Sequence, residues 1–110
     1  MDMILVVCGA GASSTFLASR MRTILAERGL DLTARAASNI DLDSRLADAR
    51  VLLVGPHLAS SFAELQAAAA EYSVPAALLP TTAFGPTGAL DALELALGLL
   101  EATPEGSTHA

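Results

Sequence analysis

Four short apolar segments, separated by stretches with helical periodicity, constrain the fold of this chain more than any other feature. They cover residues 3–8, 32–37, 51–54 and 75–79. None of them alternates cleanly between polar and apolar residues. Continuous apolar runs of this length are typical of strands that are buried on both faces of a parallel sheet.

The segments between these runs carry apolar residues at helical spacing. They predict helices over residues 13–28, 58–72 and 88–102, and a short helical turn within 41–49. Right-handed crossovers between successive parallel strands then give an α/β fold. We expect a four-stranded parallel open sheet with helices on both faces.

Length and composition exclude several classes of protein. The 110 residues suffice for one domain, which we expect over residues 1–102, with a flexible polar tail over 103–110. Six arginines and no lysine stand against twelve acidic residues, for a net charge of −6. A protein with this negative charge is not expected to bind nucleic acid or an anionic membrane. No apolar run reaches the roughly 20 residues of a membrane span, so we expect a cytoplasmic protein with no direct membrane insertion.

Residues suited to binding collect after the strands. In an open parallel sheet, ligands bind beyond the carboxyl ends of the strands. The loops at that edge cover residues 8–15, 55–60 and 80–88, and they are rich in glycine and hydroxyl side chains. We therefore expect the functional site at this edge.

The first of these loops contains the single cysteine, Cys8. One cysteine excludes an internal disulfide and a four-thiolate metal site. Glycines and a helix start supply backbone N–H donors, and hydroxyl side chains add more or cap the helix. We expect a thiol there to have a lowered pKa and to be nucleophilic. The predicted phosphate-binding loop is Gly9, Ala10, Gly11, Ala12, Ser13, Ser14 and Thr15.

Three interpretations fit a cysteine at this position. The plainest is an inert core thiol at a strand end. A second is the nucleophile of a low-molecular-weight phosphatase or arsenate reductase, but the loops of those enzymes have arginine six residues after the cysteine, where this chain has Ser14. No Asp-Pro pair offers a general acid. A phosphoryl group on Cys8 would therefore be held rather than hydrolysed quickly, which favours a phosphoryl carrier.

The segment Cys8-Gly9-Ala10-Gly11-Ala12-Ser13-Ser14-Thr15 resembles the loop Cys-x-Ala-Gly-Met-Ser-Thr-Ser of enzyme IIB of the bacterial sugar phosphotransferase system, of the lactose/cellobiose/chitobiose type. Downstream, Val54-Gly55-Pro56-His57 resembles the family's Leu-Gly-Pro-Gln, and residues 84–88 resemble its Tyr-Gly-x-x-Asp-Gly. The likeness covers about residues 3–100, and the cysteine loop and the Gly-Pro turn are its specific parts.

The resemblance implies a function for the cysteine loop. Cys8 would accept a phosphoryl group from a phosphohistidine of enzyme IIA. It would pass the group to a sugar, expected to be a β-linked disaccharide, held by the membrane protein enzyme IIC. The loop residues would bind the phosphoryl group. No cofactor and no metal are expected.

The sequence departs from the family pattern at three positions. Ala12 replaces the loop methionine, His57 replaces glutamine, and Thr87 replaces aspartate; His57 and Thr87 are candidate residues of the site's rim. The string Cys8-Gly9-x-Gly11 also resembles the galactitol and ascorbate branches of enzyme IIB. A non-catalytic, anion-binding regulatory module is a further alternative.

Overall fold

The computed structural model describes residues 2–8, 12–38 and 41–102, and in these residues four parallel strands form one sheet. The strands are β1 (Asp2–Val7), β2 (Leu32–Ala37), β3 (Val51–Val54) and β4 (Ala76–Leu78). Their order in the sheet is β2-β1-β3-β4, with every pair parallel. The predicted fold class is confirmed, and β2 and β3 have the predicted bounds.

Helices cover both faces of the sheet. They are α1 (Ala12–Glu27), α2 (Leu42–Leu46), α3 (Phe62–Ala70) and α4 (Gly88–Ala102). Two 3₁₀ segments, Pro56–Ser61 and Thr81–Phe84, precede α3 and α4. None of the described helices is long and apolar enough to cross a bilayer. The predicted tail, residues 103–110, lies outside the described residues.

The β1 side chains explain why its sequence is continuously apolar. Ile4 and Val6 belong to a core layer that includes α1 and α4. Leu5 and Val7 belong to the opposite layer, which includes α2 and α3. All four side chains are fully buried, as expected for an inner strand covered on both faces.

The helix predicted over residues 58–72 is wrong in its extent. The chain first forms the 3₁₀ segment that starts at Pro56, and Leu58 has non-helical backbone angles (φ −102°, ψ 20°). Ser73 has φ 60°, a left-handed conformation that ends the helical run and turns the chain toward β4. Tyr72, the last residue of the predicted helix, falls in that turn and is 44% exposed.

Gly88 is required where the second 3₁₀ segment meets α4. A Cβ atom at Gly88 would overlap the backbone carbonyl of Ala83. We expect Gly88→Ala to lower the free energy of unfolding by about 2–3 kcal/mol, because backbone atoms must move to relieve the overlap. Urea unfolding monitored by circular dichroism measures this change.

Gly98→Ala is the matched control. Gly98 lies within α4, and a Cβ atom there would meet nothing within 4 Å. The alanine should raise the free energy of unfolding by about 0.5–1 kcal/mol through helix propensity. Equal unfolding midpoints for the two variants would contradict the packing described for Gly88.

The Asp41 carboxylate, next to the start of α2, bonds to Ser38 and Arg45. Its Oδ2 accepts a hydrogen bond from Arg45 Nε at 3.0 Å, and its Oδ1 accepts from Ser38 N at 2.8 Å and Ser38 Oγ at 3.0 Å. The bond from Arg45, followed by those from Ser38, lowers the pKa of Asp41 from 3.8 to about 2. The ionised carboxylate therefore stabilises the folded chain.

This pKa predicts how Asp41→Asn changes the response to acid. A lowered pKa in the folded state stabilises the protein above the ordinary value of 3.8, and this contribution disappears as the pH falls toward 2. The wild-type protein should be the more stable at pH 7, and its advantage over the variant should shrink between pH 4 and pH 2. Urea midpoints of both proteins across this range test it. A difference that does not change with pH would contradict the role assigned to this carboxylate.

Candidate functional site

The carboxyl ends of three strands meet at one edge of the sheet. Cys8 follows β1, Gly55 follows β3 and Leu79 follows β4. Gly55 N donates a hydrogen bond to the Val7 carbonyl at 2.8 Å, and Leu79 N donates to the Val54 carbonyl at 2.7 Å. These bonds extend the strand pairing by one residue. They place Cys8 beside Gly55, at the edge where the sequence predicts the site.

Gly55 closes tightly against the thiol. A Cβ atom added to Gly55 would lie 2.8 Å from Cys8 Sγ and 3.5 Å from Cys8 Cβ. The same point is 3.5 Å from Cε1 of His57. The space that a side chain of Gly55 would occupy is therefore bordered by both the thiol and the imidazole. The Gly-Pro turn is visible in the sequence, but this close approach is not, because Cys8 and Gly55 are 47 positions apart.

The predicted lowering of the Cys8 pKa is wrong for the thiol in this structure. Cys8 is fully buried, and burial raises its pKa above the ordinary value because the thiolate loses hydration. A hydrogen bond from the Ser14 side chain acts in the opposite direction and is the smaller effect. At neutral pH the resting side chain is therefore a protonated thiol.

Ser14 is the predicted loop residue that the structure brings to Cys8. It lies in the first turn of α1 and is fully buried, with its side chain hydrogen-bonded to the thiol. Ala12, Ser13 and Thr15 share this turn, so the helix begins one residue earlier than predicted. Gly9, Ala10 and Gly11 lie outside the described residues.

Thr15 faces a neighbouring cavity of about 190 Å³. Ser14 and Thr15 form one wall, and the opposite wall comes from the end of β2 and the segment after it, including Ser38 and Asp41. Neither Ser38 nor Asp41 is among the predicted site residues. Their spacing of three, with a serine and an aspartate before a helix, is the signal that marks such a turn.

The two candidate rim residues differ in their surroundings. The exposed side chain of His57 borders Gly55, close to the thiol. The exposed Thr87 lies at the start of α4, where its Oγ1 donates to Asp91 Oδ2 at 3.2 Å and its carbonyl accepts from Asp91 N at 2.9 Å. Thr87 thus helps to begin a helix, and its role at the rim stays a prediction.

The described residues contain no group of three or more histidine, cysteine, aspartate or glutamate side chains arranged to hold a metal ion. The groups that meet at this edge are the buried thiol of Cys8, the hydroxyl group of Ser14, the backbone of Gly55 and the imidazole of His57.

Comparison with known proteins identifies relatives for nearly the whole chain. The family model described as "PTS system, Lactose/Cellobiose specific IIB subunit" matches residues 3–86. The galactose-specific EIIB component of the PTS system of Lactococcus lactis subsp. cremoris is 33% identical over 88 residues, which are 76% of this chain and 82% of that protein. The oligo-beta-mannoside-specific EIIB component of Bacillus subtilis is 29% identical over 102 residues, which are 91% of this chain and 97% of that protein.

Two solved structures have the same fold. The cellobiose-specific phosphotransferase IIB component from Borrelia burgdorferi superposes with a TM-score of 0.70 at 24% identity, over 88% of this chain and 89% of that one. The lactose-specific IIB component domain from Streptococcus pneumoniae gives 0.74 at 14% identity, over 86% and 96%. Both likenesses support the parallel sheet with helices on its two faces.

Gly55→Ala tests the contact between Gly55 and the thiol. The added methyl group must displace Cys8 Sγ, so we expect a loss of about 1–3 kcal/mol in the free energy of unfolding. We also expect faster alkylation of Cys8 by iodoacetamide, followed by intact mass. Gly98→Ala serves as the control and should react at the wild-type rate. An unchanged alkylation rate in Gly55→Ala would contradict the tight contact.

Proposed function

Since the chain belongs to the lactose/cellobiose-specific IIB family of the phosphotransferase system, whose members are phosphotransferase subunits in sugar transport, we propose that Cys8 is its phosphoryl-carrying residue. The observation that supports this assignment is the position of the chain's single cysteine. Cys8 lies at the carboxyl edge of the sheet, between the start of α1 and the backbone of Gly55. Parallel α/β folds bind their ligands at this edge of the sheet, so a thiol here is placed to meet a ligand.

The first step transfers the phosphoryl group from a phosphohistidine of enzyme IIA. The Cys8 sulfur attacks phosphorus in line, the S–P bond forms and the P–N bond to the donor imidazole breaks. The thiol proton moves to the leaving imidazole, so no other acid or base is needed for balance. Gly9, Ala10, Gly11, Ala12, Ser13, Ser14 and Thr15 form the proposed binding loop, in which N–H and hydroxyl donors stabilise the transferred charge.

The second step delivers the phosphoryl group to a sugar bound by the membrane protein enzyme IIC. A sugar hydroxyl oxygen attacks phosphorus, the S–P bond breaks and the hydroxyl proton ends on the Cys8 sulfur. Burial of Cys8 favours this protonated product, since it penalises the thiolate. The second transfer thus returns the side chain to its resting form.

Ser14 supports a carrier rather than a phosphatase. The phosphatase loop places an arginine six residues after the cysteine, where it clamps the phosphate with two hydrogen bonds. In this chain Ser14 occupies that position and bonds to the thiol. A hydroxyl group can hold the phosphoryl group without the charge that speeds its hydrolysis.

We propose a β-linked disaccharide as the sugar. The family description names lactose and cellobiose, which are both β-linked disaccharides, and one relative is named for oligo-beta-mannosides. Another relative is named as galactose-specific. In this proposal, residues 1–102 form one domain. The protein functions in the cytoplasm, where phosphorylated enzyme IIA reaches the thiol.

Phosphorylation of the intact protein tests the proposal. The protein is incubated with phosphoenolpyruvate, the general phosphotransferase proteins and a lactose/cellobiose-type enzyme IIA, and its mass is then measured. We expect one added phosphoryl group on the wild type and none on Cys8→Ser, because serine is a much weaker nucleophile than a thiol. Gly98→Ala should be phosphorylated like the wild type.

Other outcomes would identify the alternatives. An adduct of equal yield on Cys8→Ser would overturn the assignment of Cys8. Turnover of a generic phosphoester by the wild type would favour the phosphatase. No adduct with several enzyme IIA partners would favour an anion-binding module.

A further inference from the structure

His57 lies close enough to the thiol to interact with a group bound to it. Cys8 Sγ is 2.8 Å and His57 Cε1 is 3.5 Å from the same point, the Cβ position of Gly55, so the two atoms are no more than about 6.3 Å apart. A phosphoryl group bonded to the sulfur, together with one hydrogen bond of about 2.9 Å, spans a gap of this size. No side chain of Gly55 stands between them.

The charges of the chain make this histidine distinctive. A phosphoryl group brings close to two negative charges to a protein whose net charge is already −6. The chain has no lysine, and Ser14 occupies the position of the phosphatase arginine. Histidine can supply a positive charge near neutral pH.

We propose that His57 is a phosphoryl-binding residue, whose protonated imidazole pairs with the phosphoryl group on Cys8. The inference rests on the proposed function, because it requires Cys8 to be phosphorylated. Phosphorylation then favours proton uptake by His57, and by linkage a lower pH favours the phosphorylated protein.

Other ionisable groups near His57 do not produce the same effect. The 3₁₀ segment that carries His57 packs mainly against α3, whose one ionisable side chain is the exposed Glu64. Glu64 is present in the wild type and in His57→Gln alike, so its influence cancels when these two proteins are compared. Cys8 changes only by gaining the phosphoryl group.

Proton NMR of the histidine Cε1–H resonances tests the pairing. The chain has two histidines, so His109→Gln leaves only the signal of His57, and His57→Gln confirms the assignment. The chemical shift is followed from pH 5.5 to 8 in the unphosphorylated and the phosphorylated protein. We expect phosphorylation to move the midpoint of the His57 titration upward by about one pH unit.

A phosphoryl exchange equilibrium gives a second readout. Enzyme IIA and the protein share a limiting amount of phosphoryl groups, and the phosphorylated fraction of each is measured by intact mass. Between pH 8 and pH 6 the equilibrium should shift toward this chain several-fold more in the wild type and in His109→Gln than in His57→Gln. His109→Gln is the matched control, since it makes the same substitution at the other histidine.

The outcomes separate this inference from the proposed function. If a phosphoryl adduct forms but the His57 midpoint stays unchanged, or if His57→Gln keeps the wild-type pH dependence, the pairing is wrong and the carrier function stands. If no adduct forms on Cys8, the proposed function fails and the pairing fails with it.

Discussion

The site depends on the way β1 and β3 end side by side. Gly55 N donates to the Val7 carbonyl at 2.8 Å, which carries the strand pairing one residue past β3. This bond brings the Gly55 backbone against Cys8, within a distance that leaves no room for a side chain. The strands hold the thiol from one side, and Ser14 of α1 contacts it from another. The Cys8 sulfur is thus positioned by the sheet and by α1.

Burial of this sulfur has a functional consequence. A fully buried thiol with a raised pKa is protonated at neutral pH and is a poor nucleophile toward small molecules in solution. In the proposed carrier, the incoming phosphohistidine supplies the electrophile, and its imidazole holds the proton after the P–N bond has broken. Reactivity therefore appears when the donor docks. A carrier that must avoid oxidation and side reactions benefits from this arrangement.

The fold could be predicted from sequence because it depends on local pattern. The continuous apolar run of β3 gave the correct bounds, since a strand covered on both faces must be apolar throughout. The bounds of β2 were also correct, although this edge strand contains Thr33 and the exposed Arg35. The single helix predicted over residues 58–72 failed because Pro56 starts a 3₁₀ segment and Ser73 adopts a left-handed conformation. Both are backbone features that side-chain periodicity does not report.

The location of the site could be predicted from the sequence. Its chemistry could be predicted only in part. Cys8 and Ser14 are close in sequence, and the loop pattern placed both at the carboxyl edge of the sheet. The contact of Cys8 with Gly55, and the approach of His57, depend on the register of β1 against β3, which an apolar pattern does not fix. The pKa of the thiol depends on burial, and the loop pattern emphasised hydrogen-bond donors instead.

The most direct test of the central claim is the chemical linkage of the phosphoryl group. Phosphorus-31 NMR of the enzymatically phosphorylated protein distinguishes a phosphoryl group on sulfur from one on nitrogen or oxygen. The account predicts a single protein-bound resonance with the shift of an S-phosphoryl group, absent from Cys8→Ala and retained in His57→Gln. A resonance of a phosphohistidine that persists in Cys8→Ala would contradict it.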